Sequence, residues 1–322
     1  MKKSEGAHHA FVRHQRAQYY SRKDLAVRHP EDYISVIVDG ADQAAYCLPY
    51  FHERTHASAG DGKIPARFMG ALVHGRGAYA YTCLDDMRQG NNVTIQALHD
   101  CLAAVAKEDG PSRAPHTLFV QVDNTTKQCK GRFLMGWLGY LVLRGVFAEV
   151  YASFLPVGHT HEDVDQWFGC LARHLRSVDA PTMDALLEAV RVSYTERYSG
   201  THPRACQWES VANISEWIGP HMCKITNITD YHQFRFTPLR VDGEVKNVRF
   251  HQKLWSGDQF PWHSREGKAV DEASPSLLFK TDDSGKVTVP WDLKGVPPAQ
   301  RRPPCTVGKT HEISWYFRGI SP

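Results

Sequence analysis

Two runs of β-prone, apolar residues each end in an aspartate. Tyr33-Ile34-Ser35-Val36-Ile37-Val38 leads into Asp39-Gly40, and Thr117-Leu118-Phe119-Val120-Gln121-Val122 leads into Asp123-Asn124. Unbroken runs of this kind are expected as strands covered on both faces, which confines them to the interior of a layered α/β structure. If the two are parallel neighbours, their carboxylates emerge at one edge, where open α/β sheets bind their ligands. Two carboxylates that close repel unless a cation lies between them. A hard divalent ion such as Mg²⁺ takes one or two carboxylates together with water and substrate phosphates.

The rest of the pattern is mixed. Residues 7–28 are read as a basic helix without a continuous apolar stripe. Its positive charges suit either phosphate contact or a solvated face. After the first run come two strand-like pieces, Arg67–His74 and Ala78–Cys83, joined by Gly75-Arg76-Gly77 as a hairpin turn. Asn91-Asn92 opens a helix, Phe133 to Val146 is strongly apolar and helical, Glu149 to Leu155 is a further strand, and a helix is expected from about His161 to Arg176. The resulting order is strand, strand, strand, helix, strand, helix, strand, helix, with right-handed parallel crossovers in its second half. No Gly-rich phosphate loop of either common type occurs.

Composition fits that organisation. Apolar residues make up 42% of 322, enough for a sizeable core, and the net charge is +3. The eight cysteines form no C-x-x-C pair, which excludes the usual zinc ribbon. No apolar run reaches the roughly 18 residues of a membrane span, and the first residues lead into His8, His9 and Arg13 with no secretory signal, so an intracellular address is expected. Three regions are expected: a basic N-terminal helix (1–30), an α/β domain (31–205) and a β-rich module (206–322) carrying Trp208, Trp217, Trp255, Trp262, Trp291 and Trp315 and a Pro/Arg linker.

A third acidic element follows the Glu149 strand: Gly158-His159-Thr160-His161-Glu162-Asp163-Val164-Asp165. Thr160 and Asp163 have the spacing of a capping box, which gives Asp163 a structural task. Asp165 is followed at i+4 and i+7 by Gly169 and Ala172, a small-residue stripe that lets a helix lie close to a sheet. His161 stands one turn before Asp165, and Glu162 three residues before it; each is a candidate ligand or proton relay. His159 is a candidate for orienting substrate or a carboxylate.

In these three pieces and their order, the chain resembles the DDE transposase and retroviral integrase superfamily, and within it transposon-derived eukaryotic proteins. The likeness spans roughly residues 30–205 and rests on Val36-Ile37-Val38-Asp39-Gly40, Val120-Gln121-Val122-Asp123-Asn124, and Gly158-His159-Thr160 to Asp165. It implies a ribonuclease-H-like mixed sheet of strand order 3-2-1-4-5 flanked by helices, with Asp39, Asp123 and Asp165 as the acidic triad. It also implies two Mg²⁺ or Mn²⁺ ions, cleavage or strand transfer on DNA, a nuclear address and a homo-oligomer. The third acid is Asp where many members have Glu, so Glu162 stays open beside Asp165. Lys127, Lys130 and Arg132 are candidate contacts to the phosphate backbone.

Two other readings remain. The short stretch before the first strand, where larger relatives carry DNA-binding material, suits a truncated or domesticated copy that binds nucleic acid or protein without catalysis. His159-Thr160-His161-Glu162-Asp163 also matches H-x-H-x-D, the core of zinc hydrolases of the metallo-β-lactamase type, although Val164 stands where that motif usually continues with His.

Overall fold

A computed structural model describes residues 5–41, 46–53, 63–84, 90–110, 115–122, 130–155, 163–256, 260–271, 275–290 and 296. The chain begins with α1 (Glu5–Arg28), followed by β1 (Tyr33–Gly40), the short β2 (Cys47–Leu48), β3 (Ile64–Val73) and β4 (Gly77–Leu84). Then come α2 (Asn91–Asp109), β5 (Thr117–Val122), α3 (Arg132–Leu143), β6 (Glu149–Phe154), α4 (Asp163–His174) and α5 (Met183–Ser193). β7 (Arg204–Gln207), α6 (Ile214–Ile218), a 3₁₀ turn (Gly219–His221), β8 (Gln233–Val241) and β9 (Glu244–Lys253) complete the described elements.

The strands form one mixed sheet flanked by helices, in the order β7-β4-β3-β1-β5-β6-β8-β9, with β2 on β3. β1, β3 and β4 are an antiparallel meander turned at Gly75, whose φ of 77° suits a residue without Cβ. β5 and β6 are parallel to β1, Val38 pairing with Val122 and Val122 with Phe154. This order differs from the expected five-strand order 3-2-1-4-5. Three strands from the C-terminal part have joined the two edges: β7 runs parallel to β4, and β8 runs antiparallel to β6. The physical reason lies in β8, whose alternating Phe234 and Phe236 are fully buried on the sheet. The residues after 206, set apart in the sequence as a β-rich module, thus share the sheet and the main core with what precedes them.

Both faces of the sheet are covered, as its apolar strands require. On one face Val36, Val38, Val120 and Val122 pack with α2, α3 and the C-terminal segments. On the other, Ile37, Phe68 and Leu72 pack with Val164, Trp167, Phe168 and Leu171 of α4 and with α5. α1 also lies on this second face. Val12, Gln15, Tyr19, Lys23 and Ala26 are buried along it at helical spacing. The stripe is not continuously apolar, in keeping with the expectation: two of its five members, Gln15 and Lys23, are polar. Arg13 and Arg28 do face solvent. No described helix is long and apolar enough to cross a membrane.

A candidate acidic site at the carboxyl edge of the sheet

Alternation along β1 puts Ser35, Ile37 and Asp39 on the face covered by α1 and α4. Asp39 is half-buried at the carboxyl end of the strand and accepts a hydrogen bond from the Gly40 amide at 2.7 Å. Its register partner on β3 is Gly70. That position has no side chain because α4 descends onto it: a Cβ there would lie 2.8 Å from Phe168 Cε1 and 3.0 Å from Trp167 Cζ3. The aromatic pair that anchors α4 therefore sits on the strand pair bearing Asp39. Asp165, half-buried, belongs to the first turn of the same helix. The small-residue stripe expected to bring its side of the helix onto the sheet is corrected: Gly169 and Ala172 are exposed, a Cβ at Gly169 would meet nothing within 4 Å, and the helix packs instead through Val164, Trp167, Phe168 and Leu171.

Asp123 lies outside the described residues, as do Lys127, His159, His161 and Glu162. The chain reaches Asp123 directly from Val122, which is level with Val38 in the neighbouring parallel strand. Among the described residues there is no group of three or more His, Cys, Asp or Glu able to hold a metal ion. The structure thus brings α4 over the strand pair that carries Asp39, and the third acid falls beyond what it describes.

Asp163 is engaged elsewhere. Successive residues of a helix are turned by roughly 100°. Asp163 and Asp165 therefore flank the buried stripe from opposite sides. Asp163 forms an ion pair with Lys23 of α1, and His74 Nε2 lies 3.6 Å from the same carboxylate oxygen. His74, fully buried after β3, shares hydrogen bonds with Ser35 Oγ at 3.0 Å and Tyr19 Oη at 3.1 Å. Burial alone would raise the Asp163 carboxyl, but His74 and Lys23 outweigh it and hold it down at about 2. Burial opposes the charge on Lys23 too, and the pairing with Asp163 more than restores it, leaving the ammonium above its ordinary range. The capping box expected with Thr160 lies outside the described residues; the task the structure gives Asp163 is another one, with partners on α1 and beside β1. Nothing in the local sequence marks Lys23 and His74 as those partners.

The basic candidates separate. Lys130 is buried, donates to the Thr229 carbonyl at 2.7 Å and lies over the Phe154 ring at 5.5 Å. Burial lowers its ammonium to about 8 against the pull of Asp230. Its expected role as a phosphate contact is corrected on that ground, since the side chain is turned into the protein. Arg132, the first residue of α3, is exposed, its guanidinium 4.7 Å from the Phe133 ring centre. Arg22, part of the basic leading helix, is turned inward: it bonds to Ser153 and, at 3.1 Å, to Gln233, and lies over Phe119 and Tyr151.

The geometry defines a mixed α/β domain with one acid at a central strand end and a second on the helix crossing beside it. A family model for a domain of unknown function, DUF7869, matches residues 56–258. That is more than half of the chain, which therefore belongs to this family. Asp123 and Asp165 fall inside the matched span and Asp39 precedes it. No curated protein and no solved structure matches the chain.

Proposed function

We propose that this chain is a DNA-directed phosphodiester-cleaving or strand-transferring protein of the DDE transposase and integrase type, with Asp39, Asp123 and Asp165 holding two Mg²⁺ or Mn²⁺ ions. The observation that carries the reading is the placement of Asp39. It ends the central strand β1, beside parallel β5 in the register Val38–Val122, and its partner Gly70 is the point where α4 meets the sheet. The whole sheet departs from the ribonuclease-H-like order, and what supports the reading is its central run β4-β3-β1-β5-β6.

The donor set fits a hard cation. Asp39 and Asp165 are half-buried carboxylates, and oxygen ligands of this kind are what Mg²⁺ takes. If bound there, such ions would activate a water or 3′ hydroxyl and stabilise the leaving oxygen. The protein's own residues hold and orient: the Gly40 amide fixes Asp39, and the Trp167–Phe168 anchor fixes α4. In this reading His161 and Glu162 relay protons, His159 orients substrate, Glu162 competes with Asp165 as third acid, and Lys127 and Arg132 meet phosphates.

Cleavage and strand transfer on labelled DNA duplexes in Mg²⁺ or Mn²⁺ test this directly. Activity that disappears in Asp39→Asn, Asp123→Asn and Asp165→Asn is the expected result. Metal-independent DNA binding with no cleavage in any divalent ion would replace it with the non-catalytic derivative. The zinc-hydrolase reading is weighed down by Asp163, the acid of H-x-H-x-D, which is already paired with Lys23 and His74. Stoichiometric, tightly held zinc after purification would restore that reading.

A further inference from the structure

We propose that Lys23 is a positioning residue, which with His74 sets the first turn of α4 relative to β1 and thereby places Asp165 against Asp39. The proposal rests on the metal-binding reading above and adds to it a residue far away in sequence.

The polar network joins three elements. From β1, Ser35 holds His74 Nδ1 at 3.0 Å. From α1, Tyr19 meets His74 Nε2 at 3.1 Å, and Lys23 pairs with Asp163. From α4, Asp163 accepts from Lys23 and lies 3.6 Å from His74 Nε2. Ser35 lies on the same face of β1 as Asp39, and Asp163 lies two residues before Asp165. The network therefore ties together the two elements that bear candidate ligands.

Its burial argues for geometry over raw stability. The Lys23 and Asp163 side chains are 5% and 17% exposed, and that of His74 is 1% exposed. Removing such charges from water offsets much of their attraction, so a buried pair is weak support for stability but enforces one arrangement. A purely apolar contact between α1 and α4 would tolerate sliding of α4 along the sheet. A carboxylate bonded by Lys23, with the His74 ring held 3.6 Å away by Tyr19 and Ser35, does not. Lys23 also lies between the Tyr20 and Tyr198 rings, at 5.4 and 5.0 Å, which holds its ammonium in place.

The test uses the full chain and Mn²⁺ alone as the probe, with binding followed by calorimetry and by the loss of free-Mn²⁺ paramagnetic signal. Lys23→Met is expected to lower Mn²⁺ affinity by about tenfold or more, the range seen when groups supporting metal ligands are removed. Lys23→Arg should restore most of it. Amide exchange over residues 163–168 should quicken in Lys23→Met. Glu149→Gln breaks the Glu149–Arg235 pair, which touches neither α4 nor β1, and should leave the affinity unchanged. If Lys23→Met does not fold, Tyr19→Phe removes a single bond of the network and replaces it in the comparison. Wild-type affinity in Lys23→Met or Tyr19→Phe overturns the positioning role alone. An equal loss in Glu149→Gln also overturns it, by showing that any destabilisation suffices. A wild-type chain that binds no Mn²⁺ overturns the metal site, and the positioning role with it.

Discussion

His232 makes stability depend on pH in a way that can be measured. It lies just before β8, 7% exposed, its ring stacked on Trp255 at 3.7 Å and its Nδ1 at 3.0 Å from the Phe154 carbonyl. Burial, and then the nearby Lys130 ammonium, outweigh the carbonyl bond and lower the imidazole to about 4. The unfolded chain takes up that proton near 6.5. Because the folded value is the lower one, stability is fully present above 6.5 and is lost as pH falls toward 4. At pH 5 the unfolded histidine is almost wholly protonated and the folded one almost wholly neutral, so this group alone costs about 2 kcal/mol relative to pH 7.5. Urea unfolding of wild type and His232→Asn at the two pH values isolates the contribution. His251, also lowered to about 4 by burial and the charges of Arg235 and Arg249, titrates in both proteins and cancels in the comparison. Wild type should lose about 2 kcal/mol more than the variant between pH 7.5 and 5. Equal losses in the two proteins would refute the reasoning, because a histidine already protonated when folded carries no such linkage.

Other positions give further outcomes. Gly70→Ala forces a methyl to within 2.8 Å of Phe168, and with Trp167 fully buried beside it the cost should be about 1–3 kcal/mol. Thermal unfolding at an unchanged melting temperature would mean that α4 does not rest where the structure has it. Trp208→Phe keeps a ring over Tyr81 but removes the 2.8 Å bond from Nε1 to Asp100. Asp100 retains Gln96 and His99, so the expected loss is about 1–2 kcal/mol in urea unfolding. A loss near zero would mean the indole nitrogen is not paired there.

The central architecture was legible because its signals are local and repeat. The two apolar runs ending in Asp39 and Asp123, the Gly75-Arg76-Gly77 turn and the apolar helix from Phe133 each carry a period or a turn residue that one stretch of chain decides by itself. The edges were not legible. Whether Gln233–Phe236 founds a second module or adds a strand to β6 depends on which free edge is nearby, and that is a property of distant residues. The buried side of α1 was not legible because Gln15 and Lys23 interrupt its apolar stripe. Lys23 stays there only because Asp163, far along the chain, awaits it. At the site, the strand ends could be named from sequence, and so could the helix that follows β6. The pairing of Asp163 with His74 could not, since a lone histidine after a strand has no local signature. Lys130 shows the opposite failure: a basic residue beside an acidic strand end invites a phosphate, yet burial against Phe154 takes it inward.

The late strands also govern how the chain can be cut. A fragment ending before Arg204 retains every candidate acid but strips β7 from β4 and β8 from β6. Both newly bared flanks are rich in apolar residues, with backbone donors and acceptors left without partners, the features that template intermolecular pairing. Such a fragment is expected to self-associate, and a cut just after β9 would bare that strand in turn, since His263, Ser276 and Leu278 bond to it. What can be cut away is thus governed by the sheet's flanks and not by the span of the acidic residues.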